Sequence, residues 1–227
     1  IQFLDADDLL APEKNARQLA VLDADRACIA SGAWARFVDD LAEAQFTPHE
    51  NWRNLSGIEF LQLHYEKILM MQPAAWLAPR AVLDRAGPWN EALSLNDDGE
   101  YFARVALAAR QILFCPDARS YYRSGVSSSL SRRKDRRALA SYFHSVELTA
   151  AHLSAADSSP RTRAALAYAW KWLAFEMYPG APELADRAER ESLALGGSSA
   201  PFPGARKFQL LASLLGWRLA RRLTISN

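Results

Sequence analysis

Two clusters of carboxylates are the residues in this chain whose types and spacing best suit chemistry. The first, in "IQFLDADDLL", places Asp5, Asp7 and Asp8 directly after a short apolar run. Side chains at i and i+2 of a strand point the same way, so Asp5 and Asp7 are predicted to share one side. Two neighbouring carboxylates repel each other unless a cation lies between them. Mg²⁺ or Mn²⁺ suits this place, because such ions take oxygen ligands from carboxylates and substrate phosphates.

The second cluster is Asp97 and Asp98, in "LSLNDDGEYFARVALAAR". The apolar residues that follow recur with helical spacing: Phe102, Val105, Ala106 and Ala109. The two acids therefore lie at or just before the first turn of a helix, where the helix dipole favours ionised carboxylates. An ionised, positioned Asp can accept a proton from a substrate hydroxyl. Glu100 and Arg104, four residues apart, are predicted to pair.

Each cluster also has a structural interpretation, in which the acids only cap a helix or occupy a turn. An apolar strand ending in Asp-x-Asp further permits a phosphohydrolase with Asp5 as nucleophile and Asp7 as acid. That class usually has a small Gly-Thr or Gly-Val pair after the second Asp, where this chain has Asp8 and Leu9. A calcium loop of the helix–loop–helix type is excluded, because the required Gly and later Glu are absent.

The elements that position these acids follow from hydrophobic periodicity, and they predict an α/β part to about residue 130 and then an all-helical tail. Strands are predicted over 1–4, 26–38 with a break at Gly32, 73–79 and 112–116, and helices over 12–25, 57–70, 80–87, 134–155, 160–178, 181–195 and 205–223. In parallel α/β sheets, ligands gather at the carboxyl ends of strands, which is where Asp5 and Asp7 are expected.

The ordered set of motifs resembles the second half of the family 2, inverting, GT-A-fold glycosyltransferases. The stretches that carry the resemblance are "FLDADDLLAPEKNARQ", "WLAPRAVLDRAGPWNEAL", "NDDGEYFARV" and "YYRSGVSSSLS", between Gln2 and about Ser131. The resemblance implies an α/β fold, with the C-terminal part of a GT-A (Rossmann-like) nucleotide-diphospho-sugar transferase domain over 1–130 and a helical extension over 131–227. It also implies that the nucleotide-binding strands before Ile1 are missing, so that this chain alone would bind a nucleotide-sugar weakly and be inactive.

The resemblance implies a role for each acid. Asp7 would coordinate the divalent metal on the donor diphosphate, and Asp5 would support the metal or contact the nucleotide ribose. Asp98 would deprotonate the acceptor hydroxyl, which attacks the anomeric carbon with inversion. Asp97 stands where the family usually has Glu, beside the donor. A non-catalytic, glycosyltransferase-like binding module is the further alternative.

Other matched positions are assigned to the substrate. Arg104 falls at the usual later Arg of the motif, and Arg123 and Ser128 lie in the loop that would close over the nucleotide diphosphate. Gly125 stands where family members often carry a His, so a metal ligand expected from that loop is not present at that place. Trp89 replaces the commoner Phe. The implied partners are a nucleotide-sugar, most simply a UDP-sugar, and a carbohydrate or lipid-linked acceptor.

Charge and composition indicate where in the cell the protein is expected to be. The formal net charge of +1 predicts no general attraction to nucleic acid, but Ser192–Asn227 holds five bases and no acid. Residues 205–223 are apolar and then basic, which predicts contact with an anionic membrane surface, or else with the core or an oligomer interface. The two cysteines, Cys28 and Cys115, fit buried reduced thiols in a cytosolic protein. The expected location is therefore cytoplasmic, with peripheral attachment at the inner membrane face.

Overall fold

The structure is a computed structural model that describes residues 1–125 and 134–225, and it is an α/β fold with a small mixed sheet. Its strands are β1 (Leu9–Leu10), β2 (Ile29–Phe37) and β3 (Ile112–Arg123). Its helices are α1 (Lys14–Leu22), α2 (Gly57–Lys67), α3 (Arg80–Ala86), α4 (Asp97–Ala108), α5 (Arg136–Ala156), α6 (Pro160–Met177), α7 (Pro182–Ala194), α8 (Arg206–Leu215) and α9 (Trp217–Ile225).

The sheet has the order β1-β3-β2, with β3 parallel to β2 and antiparallel to β1. The β2–β3 register runs from Ile29 opposite Ile112 to Phe37 opposite Arg123 and shifts between Gly32 and Trp34. At Gly32 a Cβ would collide with the Ala118 carbonyl, so glycine permits the close approach at this irregularity. The sheet thus brings the end of β3, with Arg123, beside the end of β2.

Two predicted strands are wrong. Residues 1–4 form no strand, although Ile1 exchanges both backbone hydrogen bonds with Ala78, at 2.6 and 3.0 Å. Residues 73–79 begin as a 3₁₀ turn, Pro73–Ala75, in which the Ala75 and Trp76 N–H groups bond to carbonyls three residues back. Pro73 has no N–H, so this segment starts as a turn, and only Leu77 then bridges to Ala30.

Strand β3 extends beyond the predicted 112–116. Pro116 indicated an end, because proline cannot donate to a ladder. In the structure Gly32 lies opposite Cys115 and Trp34 opposite Ser120, so Pro116 falls within a bulge where no ladder bond is needed. The strand therefore continues to Arg123, and this extension carries Arg123 to the carboxylate turn.

The predicted helices are confirmed within a few residues at their ends, except at the C-terminal end of the chain. There the single helix predicted over 205–223 is two helices, α8 and α9, which meet at Gly216 with φ 79°. This positive φ lies in the region that glycine tolerates best, so the helix breaks there. No helix in the described part of the chain is both long and apolar enough to cross a bilayer.

The main hydrophobic core continues past residue 130. It joins Phe60, Trp76 and Phe102 of the α/β part to Phe143 and Trp170 of α5 and α6. A smaller cluster lies under α1, and a third holds α8 and α9 against α6. Cys28 and Cys115 are both buried and unpaired, as predicted. The helical tail therefore packs directly on the elements that carry the acids.

Candidate functional site

The first carboxylates lie on a turn rather than at the end of a strand. The Asp8 N–H donates to the Asp5 carbonyl at 3.2 Å, which closes the turn over Ala6 and Asp7. Asp8 is buried, and its Oδ1 accepts the Arg123 N–H at 2.8 Å. Arg123 in turn donates through Nε to the Asp7 carbonyl at 3.1 Å. These contacts fasten the turn to the end of β3 and leave the Asp5 and Asp7 side chains exposed.

Burial and mutual repulsion perturb the acids of this turn. The pKa of Asp5 is raised by partial burial and then by the charges of Asp7 and Asp97. The pKa of Asp8 is raised to about 6, chiefly by burial, although the bond from the Arg123 N–H opposes the shift. The second oxygen of Asp8, Oδ2, is buried and has no hydrogen-bond partner. Three acids therefore lie close together on one turn. Because no donor satisfies Asp8 Oδ2, burial favours the protonated form of this carboxyl.

Helix α5 braces the backbone just before the second pair of acids. The Ser141 hydroxyl accepts the N–H groups of Ser94 and Leu95, at 2.7 and 3.0 Å. One turn further along α5, the Ser145 hydroxyl donates to the Asn96 carbonyl and accepts the Asn96 amide, both at 2.7 Å. Asn96 has φ 57°, a left-handed conformation that Asn tolerates better than most residues. This turn starts α4 at Asp97.

Aromatic packing connects the first eight residues to α4. The ring of Phe3 meets Phe102 edge-on, with centroids 5.7 Å apart, and Trp89 at 5.6 Å. Trp89 stacks on Tyr101 at 4.3 Å, and its Nε1–H donates to Asp97 Oδ2 at 2.9 Å. Asp97 is therefore oriented by the loop before α4, and Phe3 brings the carboxylate turn to the same place.

Asp98 is one of the residues that line a cavity of about 70 Å³. Its Oδ1 accepts the Gly99 N–H at 2.9 Å. Burial raises the pKa of Asp98 to about 6, and the charges of Asp97 and Asp5 add to the shift. The cavity is lined by both aliphatic and aromatic side chains, and the aromatic ones include His64, Tyr65, Trp76, Phe102, Tyr142 and Trp172. Burial lowers the pKa of His64 to about 4, so this imidazole is neutral near pH 7.

The two acidic clusters, which are some ninety positions apart in the sequence, lie near each other, because Phe3 packs against Trp89 and Trp89 binds Asp97. The charge of Asp97 raises the pKa of Asp5, and the charge of Asp5 raises that of Asp98. Within residues 1–125 and 134–225, no three His, Cys, Asp or Glu side chains are arranged to hold a metal ion. A cation at Asp5 and Asp7 would therefore take its other ligands from water or a bound phosphate, as Mg²⁺ commonly does.

Two of the other predicted site residues, Arg104 and Arg123, make structural contacts. Arg104 pairs with Glu100, as predicted, through two bonds of 2.6 and 2.9 Å, and also donates to the Pro88 and Ala86 carbonyls. It thereby holds the loop that carries Trp89. Arg123 donates to the Asp7 and Val38 carbonyls. Ser128 lies outside the described residues.

Asn96 and His64 belong to the site but were not predicted from the sequence. Asn96 could have been found, because an Asn directly before an acidic helix start often adopts the left-handed conformation. No sequence pattern around His64 indicates a site, because this residue reaches the cavity only through the packing of α2 beside α4 and α6. Comparison with protein-family models, curated proteins and solved structures finds no match to this chain.

Proposed function

We propose that the protein transfers a sugar from a nucleotide-diphosphate sugar to an acceptor hydroxyl, with inversion at the anomeric carbon. The observation that carries this proposal is the proximity of the Asp5–Asp7 turn to the acids at the start of α4. Phe3 packs against Trp89 and Phe102, and Trp89 in turn binds Asp97. In family 2 glycosyltransferases, which the sequence resembles, the motif matched by Asp5 and Asp7 and the motif matched by Asp97 and Asp98 are expected to lie together, although they are far apart in sequence.

A divalent cation fits Asp5 and Asp7. Both side chains are exposed on one tight turn. Partial burial and then the charge of Asp7 raise the pKa of Asp5, so a cation there would relieve the repulsion between the two carboxylates. When bound, Mg²⁺ or Mn²⁺ would neutralise the charge that develops on the departing nucleoside diphosphate. Asp8 and Arg123 would act indirectly, because they hold the backbone of the turn in place.

Asp98 is the proposed general base. Its carboxylate would accept the proton of the acceptor hydroxyl while that oxygen bonds to the anomeric carbon. The bond from the anomeric carbon to the diphosphate oxygen breaks on the opposite face, and the nucleoside diphosphate leaves with the electron pair. A pKa of about 6 leaves Asp98 largely ionised at pH 7 and more basic than an ordinary Asp, which suits proton transfer.

The remaining groups would orient the reactants. The Trp89 indole N–H donates to Asp97. Asp98, the next residue, instead lines the cavity. We infer that the α/β part belongs to a GT-A domain, that the donor is a UDP-sugar, and that the acceptor is a carbohydrate or lipid-linked hydroxyl. Aromatic faces beside the base suit the apolar face of a sugar ring.

The test is transfer by the natural protein in its full length, with UDP-sugars, Mn²⁺ and NMR of the product anomer. We expect an inverted product, loss of turnover with EDTA, and a fall in kcat of about 100-fold or more for Asp98→Asn. Asp117→Asn, at an exposed strand position, is the matched control. Unchanged turnover in Asp98→Asn would exclude the general-base role. Phosphate trapped covalently on Asp5 would instead support the phosphohydrolase.

A further inference from the structure

The last two helices carry four exposed leucines, here called the leucine face: Leu210, Leu214, Leu219 and Leu223. Leu210 and Leu214 expose 59% and 79% of their surface, and Leu219 and Leu223 expose 46% and 47%. Within each helix the two leucines are four residues apart, so they lie on the same side. Large apolar side chains grouped in this way usually mark a contact surface.

The leucine face is not the surface by which these helices pack on the protein. Their inner side already buries Phe208 and Ala220 against Phe175 of α6. Arg218 also pairs with Asp186 and Glu189 of α7, both at 2.5 Å. A surface helix normally has one apolar side toward the core and a polar side toward water. Helix α8 is apolar on both sides, because Leu210 and Leu214 lie opposite Phe208, so core packing does not account for these leucines. In α9, Leu219 and Leu223 flank Ala220 and remain about half exposed.

The charges beside the leucine face are positive. Arg206 and Lys207 are exposed in the first turn of α8, one turn before Leu210 and two before Leu214. The helix dipole disfavours cations at this end, so helix stability does not explain them. No acid occurs between Ser192 and Asn227. The leucines and the two cations together form an amphipathic surface that would suit a negatively charged, partly apolar partner.

We propose that the leucine face docks on an anionic lipid bilayer, with α8 and α9 lying in the plane of the headgroups. The leucines would enter the boundary between headgroups and acyl chains, while Arg206 and Lys207 bind lipid phosphates. A second copy of this surface is a poorer occupant, because it carries the same positive charge and offers no acid to pair with Arg206 and Lys207. This inference does not depend on the proposed transferase chemistry.

Flotation of the full chain with lipid vesicles tests the proposal. We expect it to float with vesicles of phosphatidylcholine and phosphatidylglycerol, and far less with phosphatidylcholine alone. The double variant Leu210→Ser/Leu214→Ser should bind about tenfold or more weakly, because it removes two apolar side chains from the lipid boundary. Arg206→Gln/Lys207→Gln should lose the preference for phosphatidylglycerol. Leu19→Ser, at an exposed leucine of α1, is the matched control and should float like the parent.

Circular dichroism separates lost binding from lost folding, and Leu219→Ser/Leu223→Ser provides a second variant if the first loses helicity. The proposal is wrong if the parent fails to float with anionic vesicles. It is also wrong if both leucine variants, with their helicity intact, float as well as the parent does. A dimer that the leucine variants dissociate, without vesicle binding by the parent, would assign the face to self-association instead.

Discussion

The indole Nε1–H of Trp89 donates a 2.9 Å hydrogen bond to Asp97, the residue directly before the proposed base. Phenylalanine, the commoner residue at this position in the family that the sequence resembles, has no donor to offer. The same indole stacks on Tyr101 and packs beside Phe3. One side chain therefore links the carboxylate turn, the loop before α4 and the first acid of α4.

Trp89→Phe is expected to keep most of the stacking and lose the bond to Asp97. A hydrogen bond to a charged group contributes about 1.5–3 kcal/mol. A double-mutant cycle with Asp97→Ala, which removes the acceptor, should therefore give a coupling free energy of about 1–3 kcal/mol between the two residues when stability is measured by chemical denaturation. Additive effects, with no coupling beyond the error of the cycle, would mean that the bond adds nothing to stability.

The pH dependence of turnover should report Asp98. Its pKa is raised to about 6, and only the ionised carboxylate can accept a proton, so kcat/KM should rise with pH through about 6 and level off above about 7. The measurement is a pH–rate profile of the full-length natural protein at saturating Mn²⁺. Asp117→Asn should leave the acid limb in place. A profile that is flat between pH 5 and 8 would argue against Asp98 as the base.

Glu100→Gln should be strongly destabilising. Glu100 is 2% exposed and binds Arg104 through two hydrogen bonds, so the variant leaves a partly buried guanidinium without its counter-charge. Removing one partner of a buried ion pair costs about 3–5 kcal/mol. Urea denaturation should show a loss of this order. Glu66→Gln, which breaks the more exposed pair with Arg161, is the contrast and should cost less than about 1 kcal/mol. Equal losses in both variants would contradict the structural role of Glu100.

Asp8→Asn should change how stability depends on pH. The folded state raises the pKa of Asp8 from 3.8 to about 6. The stabilisation from protonated Asp8 is therefore complete below about pH 3.8 and is lost as pH rises through about 6. The amide of the variant would keep an acceptor for the Arg123 N–H and carry no charge. Between pH 4 and 7, the unfolding free energy of the variant should gain up to about 3 kcal/mol relative to the parent.

Denaturation at several pH values measures this difference, and the slope matters rather than the offset, because a buried amide has its own cost that does not vary with pH. Asp117→Asn serves as the exposed control and should parallel the parent throughout. If the curves of Asp8→Asn and the parent are also parallel, burial of Asp8 does not perturb its ionisation.

Much of the fold could be predicted because helix periodicity and caps are local. Ser56 and Glu59 form a reciprocal cap at the start of α2, and glycines or prolines mark several helix ends. The errors arose where tertiary structure overrode local signals. Pro116 indicated a strand end but lies in a bulge of β3, and Pro73 begins a turn in an apolar stretch that was predicted as a strand.

The site was predictable only in part. The spacing of Asp97 and Asp98 to the apolar positions of α4 locates them at a helix start, because that geometry is local. The fixing of the carboxylate turn by Asp8 and Arg123 is a contact across 115 positions, and no local pattern contains it. Lys14 is a clearer case: a lysine near a helix start normally indicates solvent, yet its Nζ is buried and donates to the Trp76 carbonyl at 3.1 Å.

The two serines of α5 that brace Asn96 have a consequence for how this protein can change over evolution. Ser141 and Ser145 lie in the helical extension, whereas the residues that they hold lead into the acids of α4. The extension is thus not an interchangeable module. A chimera that joins the α/β part to a helical region from another protein would have to supply two hydroxyls, one turn apart, facing the same loop. Recombination near residue 130 should therefore be productive only between partners that share this pair.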